Sequence, residues 1–468
     1  MEDQADRVRW REILNAEFGL PLFIICFGVT LHALDELLVA TMLPAMVAEL
    51  GGLNLVSWTV GAYEIGTVVF SAMSGLITVR YGVRIPMFFS ATVFGLGCTI
   101  SAVAPNMETV LLGRAFQGFG GGGLLAISFI ASAVLFPEHT LARAMGAISV
   151  FWGSAGFVGP LLGSVFVNSF TWRTGFWCFG LAAFLLLPLI LLRIKDKNAE
   201  SRDQAQDETT GAYPWLRIIC LTLGIFLVAA AGVRVTAVAS PLLIVSGLLF
   251  IVVFFRLDSC EHKNRMLPRR PLHLREPIGS ALAMIVCLAA ATVALPVYGA
   301  LILKSIHGAS PMTAGYVIAC PAIGWATATF LVSGQPEERD RTLIQRGILL
   351  AVLGNTGVVY TIPNGPIALV ALCALVEGVG FGIAWAFIPR LIRHLSEAGE
   401  VERNTAAIPT AQAIGYALGA ACIGIIGNWS GVADGQVDDI SYFSASIIFL
   451  ACVPVGFFGL LSIRTFVR

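Results

Sequence analysis

Asp35, Glu36, Glu64, Arg114 and Glu377 are ionisable residues standing inside stretches of sequence that are otherwise apolar. A charge at the centre of a bilayer costs about 2.5 to 3.5 kcal/mol on insertion scales, so such residues point to a pathway, a proton relay or a binding site. His32 precedes Asp35 and Glu36 by three and four residues, which puts all three along one side of a helix. Burial disfavours the ionised form of a carboxyl group and a neighbouring guanidinium favours it. A buried Asp35 beside a movable cation therefore has what is needed to load and release a proton. With four interior carboxyl groups against the single interior Arg114, the cavity is net acidic when all are ionised. That favours protons, cationic cargo or cargo with several donors, and disfavours a fully anionic one. The structural alternative for each group is a static ion pair or, for Glu36, a snorkelling side chain.

The elements that must position these groups follow from composition. Of 468 residues, 57% are hydrophobic and 12% charged, about half the charged share of a soluble domain. This excludes a soluble enzyme and a disordered chain and leaves a polytopic membrane protein. Lys and Arg number 29, as do Asp and Glu, so no net field attracts nucleic acid. The ten cysteines are scattered singly and read as small core residues, with no disulfide framework. The sequence has no GxxxxGKS loop, no HExxH and no Cys/His cluster, so ATP-driven work, a metal site and a cofactor are not expected.

Apolar runs long enough to cross a bilayer occur near 18–46, 54–79, 85–104, 108–136, 145–167, 174–192, 215–232, 236–255, 278–303, 313–333, 346–362, 366–389, 405–427 and 441–463. The expected fold is an all-α membrane protein with fourteen transmembrane helices. A cytoplasmic arm (1–17) precedes an N-terminal six-helix bundle (18–192), and linkers carrying an inserted two-helix hairpin (193–277) precede a C-terminal six-helix bundle (278–468). The first span lacks a compact signal core with a cleavage site and reads as retained. Only Arg173, Arg234 and Lys304 fall in loops opposite the N-terminal side, so the positive-inside rule makes both termini cytoplasmic. Asn428-Trp429-Ser430 formally matches a glycosylation acceptor on the outer side.

Two similar bundles are the architecture by which secondary transporters alternate access around a midplane site. The second and tenth spans both lead into arginine-bearing loops, and the fourth and twelfth carry comparable glycine runs, Gly118 to Gly123 and Gly378 to Gly382.

Ordered motifs connect the chain to a known family. Leu34, Asp35, Val39, Leu43 and Pro44 fit the pattern LDxTxVxxALP, and Trp58, Ala62 and Tyr63 fit WxxxAY. Gly75, Arg80, Gly82 and Arg84 fit the loop motif GxLxDRxGRR, and Arg114, Gln117, Gly118 and Gly120 fit RxxQGxG. Gly156, Gly159, Pro160 and Gly163 fit GxxGPxxG, followed by Trp172, Arg173 and Phe176 in place of WRWxF. Leu295, Pro296, Tyr298, Gly308, Ser310, Pro311, Ala314, Gly315 and Pro321 look like that family's connection between the ninth and tenth helices. In order and spacing the chain resembles the major facilitator superfamily, and within it the fourteen-helix drug:proton antiporters. The resemblance pairs Asp35 with Arg114 across the cavity, since the first and fourth helices face each other in that fold. Together with Glu64 these are the expected proton-coupling residues. Glu377, Glu36, His32, Tyr63 and Gln117 are expected to line the substrate cavity. Gly75, Arg80, Gly82, Arg84, Gly156, Gly159, Pro160 and Gly163 are expected to serve conformational change, through close glycine contacts and a bend point at Pro160. The chain departs from the loop motif at Val79, where the family has Asp, and at Val83, where it has a second Arg. The carboxylate-to-arginine latch of that loop is absent or replaced.

The expected function is proton-coupled secondary transport, exporting amphipathic neutral or cationic small molecules by alternating access. The alternative is an importer or a lipid or siderophore carrier of the same fold; a membrane-embedded enzyme or a receptor fits less well. The expected partners are the small-molecule substrate, protons and membrane lipid, without ATP or nucleic acid, in a monomer of the plasma or bacterial inner membrane.

Overall fold

The computed structural model describes residue 15 and residues 18–136, 138–194, 214–233, 235–261, 265–268, 270–271, 273–332, 335–397, 400–432 and 440–467. Among these, all regular structure is helical. Of the expected N-terminal arm only Asn15 lies within the described residues, and most of the first linker, 195–213, lies outside them.

The first bundle comprises α1 (Gly19–Leu50), α2 (Val56–Tyr81), α3 (Arg84–Ala102), α4 (Met107–Leu135), α5 (Glu138–Ser169) and α6 (Trp172–Arg193). The inserted hairpin is α7 (Trp215–Ala230) and α8 (Ala239–Cys260). The second bundle runs through α9 (Pro277–Thr292), α10 (Ala294–His307), α11 (Pro311–Val332), α12 (Asp340–Asn364), α13 (Ile367–Trp385), α14 (Ile388–Leu395), α15 (Val401–Trp429), α16 (Tyr442–Leu450) and α17 (Cys452–Phe466). Each of the fourteen expected spans is thus helical, and three of them are broken. The breaks have one cause. A proline ring collides with the carbonyl four residues earlier, and the helices before Pro296, Pro389 and Pro454 end at Thr292, Trp385 and Leu450, four residues ahead of each. Pro44, Pro160 and Pro321 lie inside helices that continue past them.

Among the described residues, twelve helical spans are long and apolar enough to cross a membrane by length and composition. The hairpin's α7, at 16 residues, is a shorter apolar helix. The outer surface suits lipid: on α8, Leu242, Val245, Leu248, Leu249 and Val252 are all exposed, an apolar stripe that water would not tolerate. By contrast, α1 is apolar nearly all round and buries Ile24, Ile25, Leu38, Met42 and Met46, as a helix enclosed by neighbours must.

Glycines set the packing, and they do so twice. On α4, a Cβ at Gly118 would strike the Tyr63 backbone of α2, and one at Gly120 would come within 2.7 Å of Phe94 Cα on α3. On α13, a Cβ at Gly382 would fall 2.8 Å from Trp325 Cα of α11, and one at Gly380 2.6 Å from the Gly347 carbonyl of α12. The two glycine runs therefore occupy equivalent places, each wedged between the second and third helices of its own bundle. Between bundles, α5 packs on α11 and α2 on α15, while α1 touches both α10 and α11. With fourteen alternating spans, α1 begins and α17 ends on one side, here called the terminal face; the opposite side is the distal face.

Candidate functional site

The polar centre of the first bundle is built from α4 outward. Asn106 caps this helix, its Oδ1 accepting from the Thr109 amide at 2.9 Å, and fixes the register that turns Arg114 inward two turns later. The close approach of α2 at Gly118 brings the Thr59 carbonyl to Arg114, whose Nε donates to it at 3.0 Å. The guanidinium lies over the Tyr63 ring, 4.3 Å from its centroid. Arg114 Nη1 pairs with the Asp35 carboxylate at Oδ2 and donates to Gln117 Oε1 at 3.1 Å. Gln117 in turn reaches Cys98 Sγ at 3.1 Å. Asp35 is 0% exposed and its Oδ1 has no hydrogen-bond partner. The cation is thus satisfied on several sides, whereas half of the carboxylate is not.

A second branch leaves through Tyr63, whose hydroxyl shares a 2.6 Å hydrogen bond with His32 Nδ1. His32 Nε2 is 4.0 Å from Glu36 Oε1, one turn along α1. Glu36 and Glu64 lie within electrostatic reach of each other. Space opens beside Glu64: Gly61, one turn away on α2, is buried, yet a Cβ there would meet nothing within 4 Å.

From His32 an aromatic series crosses between the bundles. Its ring lies 5.7 Å from Trp152 of α5, Trp152 lies edge-on to Trp325 of α11 at 5.8 Å, and Trp325 lies edge-on to Trp385 of α13 at 6.5 Å. Phe381 stacks on Trp385 at 5.4 Å. Glu377 is buried in α13, at 4% exposure. Tyr416 of α15 is within electrostatic reach of Glu36, Glu64 and Glu377.

The structure thus gathers Asp35, Arg114, Gln117, Tyr63, His32 and Glu36 into one connected set, with Glu64 buried near it on α2 and Glu377 buried in the second bundle. Thr59, Cys98, Trp152, Trp325, Trp385 and Tyr416 belong to the same region and were not singled out from sequence. One signal was available: Trp152 and Trp325 sit well inside their spans, whereas membrane tryptophans favour the interfaces.

The expected conformational residues divide by position. Gly82 ends α2 with φ +73°, a left-handed conformation that favours glycine. Arg80 stands in the last turn of α2, its guanidinium 5.6 Å from the Tyr81 ring, and Arg84 opens α3; Gly75 lies within α2. In the second half Arg390 of α14 donates through Nε to Asp340 Oδ2, at the start of α12, at 2.8 Å. The α5 glycines straddle two neighbours and do not share one partner. A Cβ at Gly156 would lie 3.1 Å from Ile323 of α11, across the seam, whereas Cβ atoms at Gly159 and Gly163 would lie 2.8 and 2.9 Å from Leu37 and Thr41 of α1. Pro160 packs toward Gly315 of α11.

The formal glycosylation triplet is occupied otherwise. Asn428 Nδ2 donates to the Asn54 carbonyl at 2.8 Å and the Gly232 carbonyl at 2.6 Å, so the nitrogen that would carry a glycan is engaged in packing.

Comparison with known proteins agrees with this architecture. The sequence profile of the Major Facilitator Superfamily matches residues 25–219 and 210–420. The chain is 27% identical over 445 residues to the "Probable multidrug-efflux transporter Rv1634" of Mycobacterium tuberculosis, covering 91% of each chain. It is 22% identical to "Multidrug resistance protein 3" of Bacillus subtilis, over 78% of this chain and 71% of that one. Among solved structures, the crystal structure of a D-xylose-proton symporter superposes with a TM-score of 0.62 at 14% identity, over 95% of this chain and 97% of the other. The nucleoside transporter NupG superposes with a TM-score of 0.63 at 11% identity, over 96% and 100%. With its two helical bundles, inserted hairpin and charges buried within them, the chain belongs to the Major Facilitator Superfamily and is a multi-pass membrane transporter.

Proposed function

We propose that this transporter exports amphipathic neutral or cationic small molecules in exchange for protons, with Asp35 as the proton-coupling group and Arg114 as the cation that holds it. The observation that carries the reading is the fully buried Asp35–Arg114 pair with Asp35 Oδ1 left without a partner. A carboxylate held on one oxygen by a well-anchored guanidinium can accept a proton on the other, and protonation weakens the pair. Coupling follows if the two arrangements differ in their pairing, because a bound proton then shifts the balance between them. The Glu36–Glu64 pair, His32, Tyr63, Gln117 and Glu377 form the cargo space with the tryptophans. The names of the mycobacterial and Bacillus relatives support drug efflux. The distribution of Lys and Arg supports a cytoplasmic terminal face; cysteines introduced near Gln204 and Lys263 should then label only from the cytoplasm, and one near Asp434 only from outside.

Purified protein in proteoliposomes with an imposed proton gradient tests the exchange. Cationic and neutral amphiphiles should be moved against the gradient direction of protons, and anionic ones should not. Absence of transport of every class under either polarity would reject the reading.

A further inference from the structure

The inserted hairpin lies across the seam between the bundles. Its helix α7 packs on both α2 and α15. Phe226 meets Trp58 of α2 edge-on at 5.3 Å, and Val228 and Ala229 share a buried cluster with Ala421 of α15. At the distal face three elements meet in one hydrogen-bonded knot. Asn428, near the end of α15, donates to the Asn54 carbonyl before α2 and to the Gly232 carbonyl in the turn after α7. Asn54 donates through its own side chain to the Val233 carbonyl at 3.3 Å. The α7 helix ends at Ala230, so these turn carbonyls have no place in its ladder and are free to accept.

The opposite end of the hairpin is tied to the second bundle. Arg217 of α7 pairs with Asp258 of α8 at 2.7 Å, and the Asp258 carboxylate also accepts the Met266 and Leu267 amides, each at 2.9 Å, on the segment leading to α9. Arg265 pairs with Glu400 beside α15 at 2.8 Å. The hairpin is therefore anchored to one bundle at its base and touches the other at Asn54 and along α2, where Trp58 meets Phe226.

We propose that the hairpin is a latch for the distal-closed state: it travels with the second bundle, and its turn at Gly232 and Val233 grips the first bundle only while the distal face is shut. Opening breaks the Asn54 bonds and the Trp58–Phe226 contact and leaves Asn428 on Gly232. The latch rests on the alternating-access reading above, and adds to it which contacts set the balance between its two states.

Spin labels at Glu108 and Tyr442, exposed starts of α4 and α16 at the distal face, report the opening by pulsed distance measurement, with the exposed Cys178, Cys260 and Cys422 replaced by serine. Asn428→Ala removes two donors and should raise the ratio of long to short distances by about fivefold. Asn54→Ala should raise it less, by about twofold to threefold. Gly232→Ala removes no hydrogen-bonding side chain but places a Cβ 3.0 Å from Ile425 N and Cγ1, and should shift the ratio the same way by pushing the turn off α15. If the unsubstituted protein shows both distances and Asn428→Ala leaves their ratio unchanged, the latch is refuted while alternating access stands. A shift in Asn428→Ala without one in Gly232→Ala would place the grip between α2 and α15 alone, and likewise refutes the hairpin's part. A single distance in the unsubstituted protein under every proton gradient would refute alternating access itself, and the latch with it.

Discussion

Gln117-Gly118 on α4 and Glu377-Gly378 on α13 occupy matching places in the two bundles, yet their surroundings are opposite. Gln117 has Arg114 three residues before it and is held by that guanidinium and by Cys98. Glu377 has Ala374 at the same offset, fully buried in apolar contact. One half therefore carries a neutral amide inside a charged, cross-linked network, and the other a carboxyl group without a cation on its own helix. In the proposed reading a repeated backbone divides labour by side chain, with the proton handled in the first bundle and a carboxyl group offered to a cationic guest in the second.

The contrast breaks most severely at Asp35. Asp35→Asn cannot release a proton, so gradient-driven accumulation should fall to background while binding of uncharged cargo survives and loses its pH dependence. A variant that still concentrates cargo would hand the coupling role to Glu64 or Glu377. Arg114→Ala leaves Asp35 buried without its partner, a loss of about 3 to 5 kcal/mol; thermal unfolding in detergent should show it, and Asp35→Asn in the same chain should restore much of the loss.

A packing change comes next. Gly159→Leu drives a branched side chain into Leu37 of α1 and should stop transport with the protein still present in the membrane, because the cavity wall carrying Asp35 is displaced. Normal turnover would show that α1 is free to give way there. Glu377→Gln is expected to act more narrowly, weakening cationic cargo by about tenfold, roughly 1.4 kcal/mol, while neutral cargo and proton coupling are spared. Equal losses for both cargo types would erase the assigned difference between the halves. The smallest effect belongs to Cys98→Ala, which removes the sulfur contact of Gln117 at a cost of at most about 1 kcal/mol and should leave transport rates within about twofold.

The sequence by itself determined the helical membrane architecture, since runs of apolar residues near bilayer length leave the backbone no other way to satisfy its hydrogen bonds. It also exposed Asp35, Glu64, Arg114 and Glu377, because a charge in such a run stands out against its neighbours. Even the three helix breaks were written in Pro296, Pro389 and Pro454, although other prolines lie inside continuous helices and only the fold distinguishes the two outcomes. Tertiary structure alone decided which groups meet. Trp152, Trp325 and Trp385 carry no charge to mark them and come from three different helices, so nothing local reveals that their rings meet in series. The split of the α5 glycines between α1 and α11, the Arg390–Asp340 pair between α14 and α12, and the capture of Asn428 by Asn54 and Gly232 likewise depend on distant chain segments. Spacing along a helix fixes the direction in which a side chain leaves it, but only the packing of the other helices determines what it finds there.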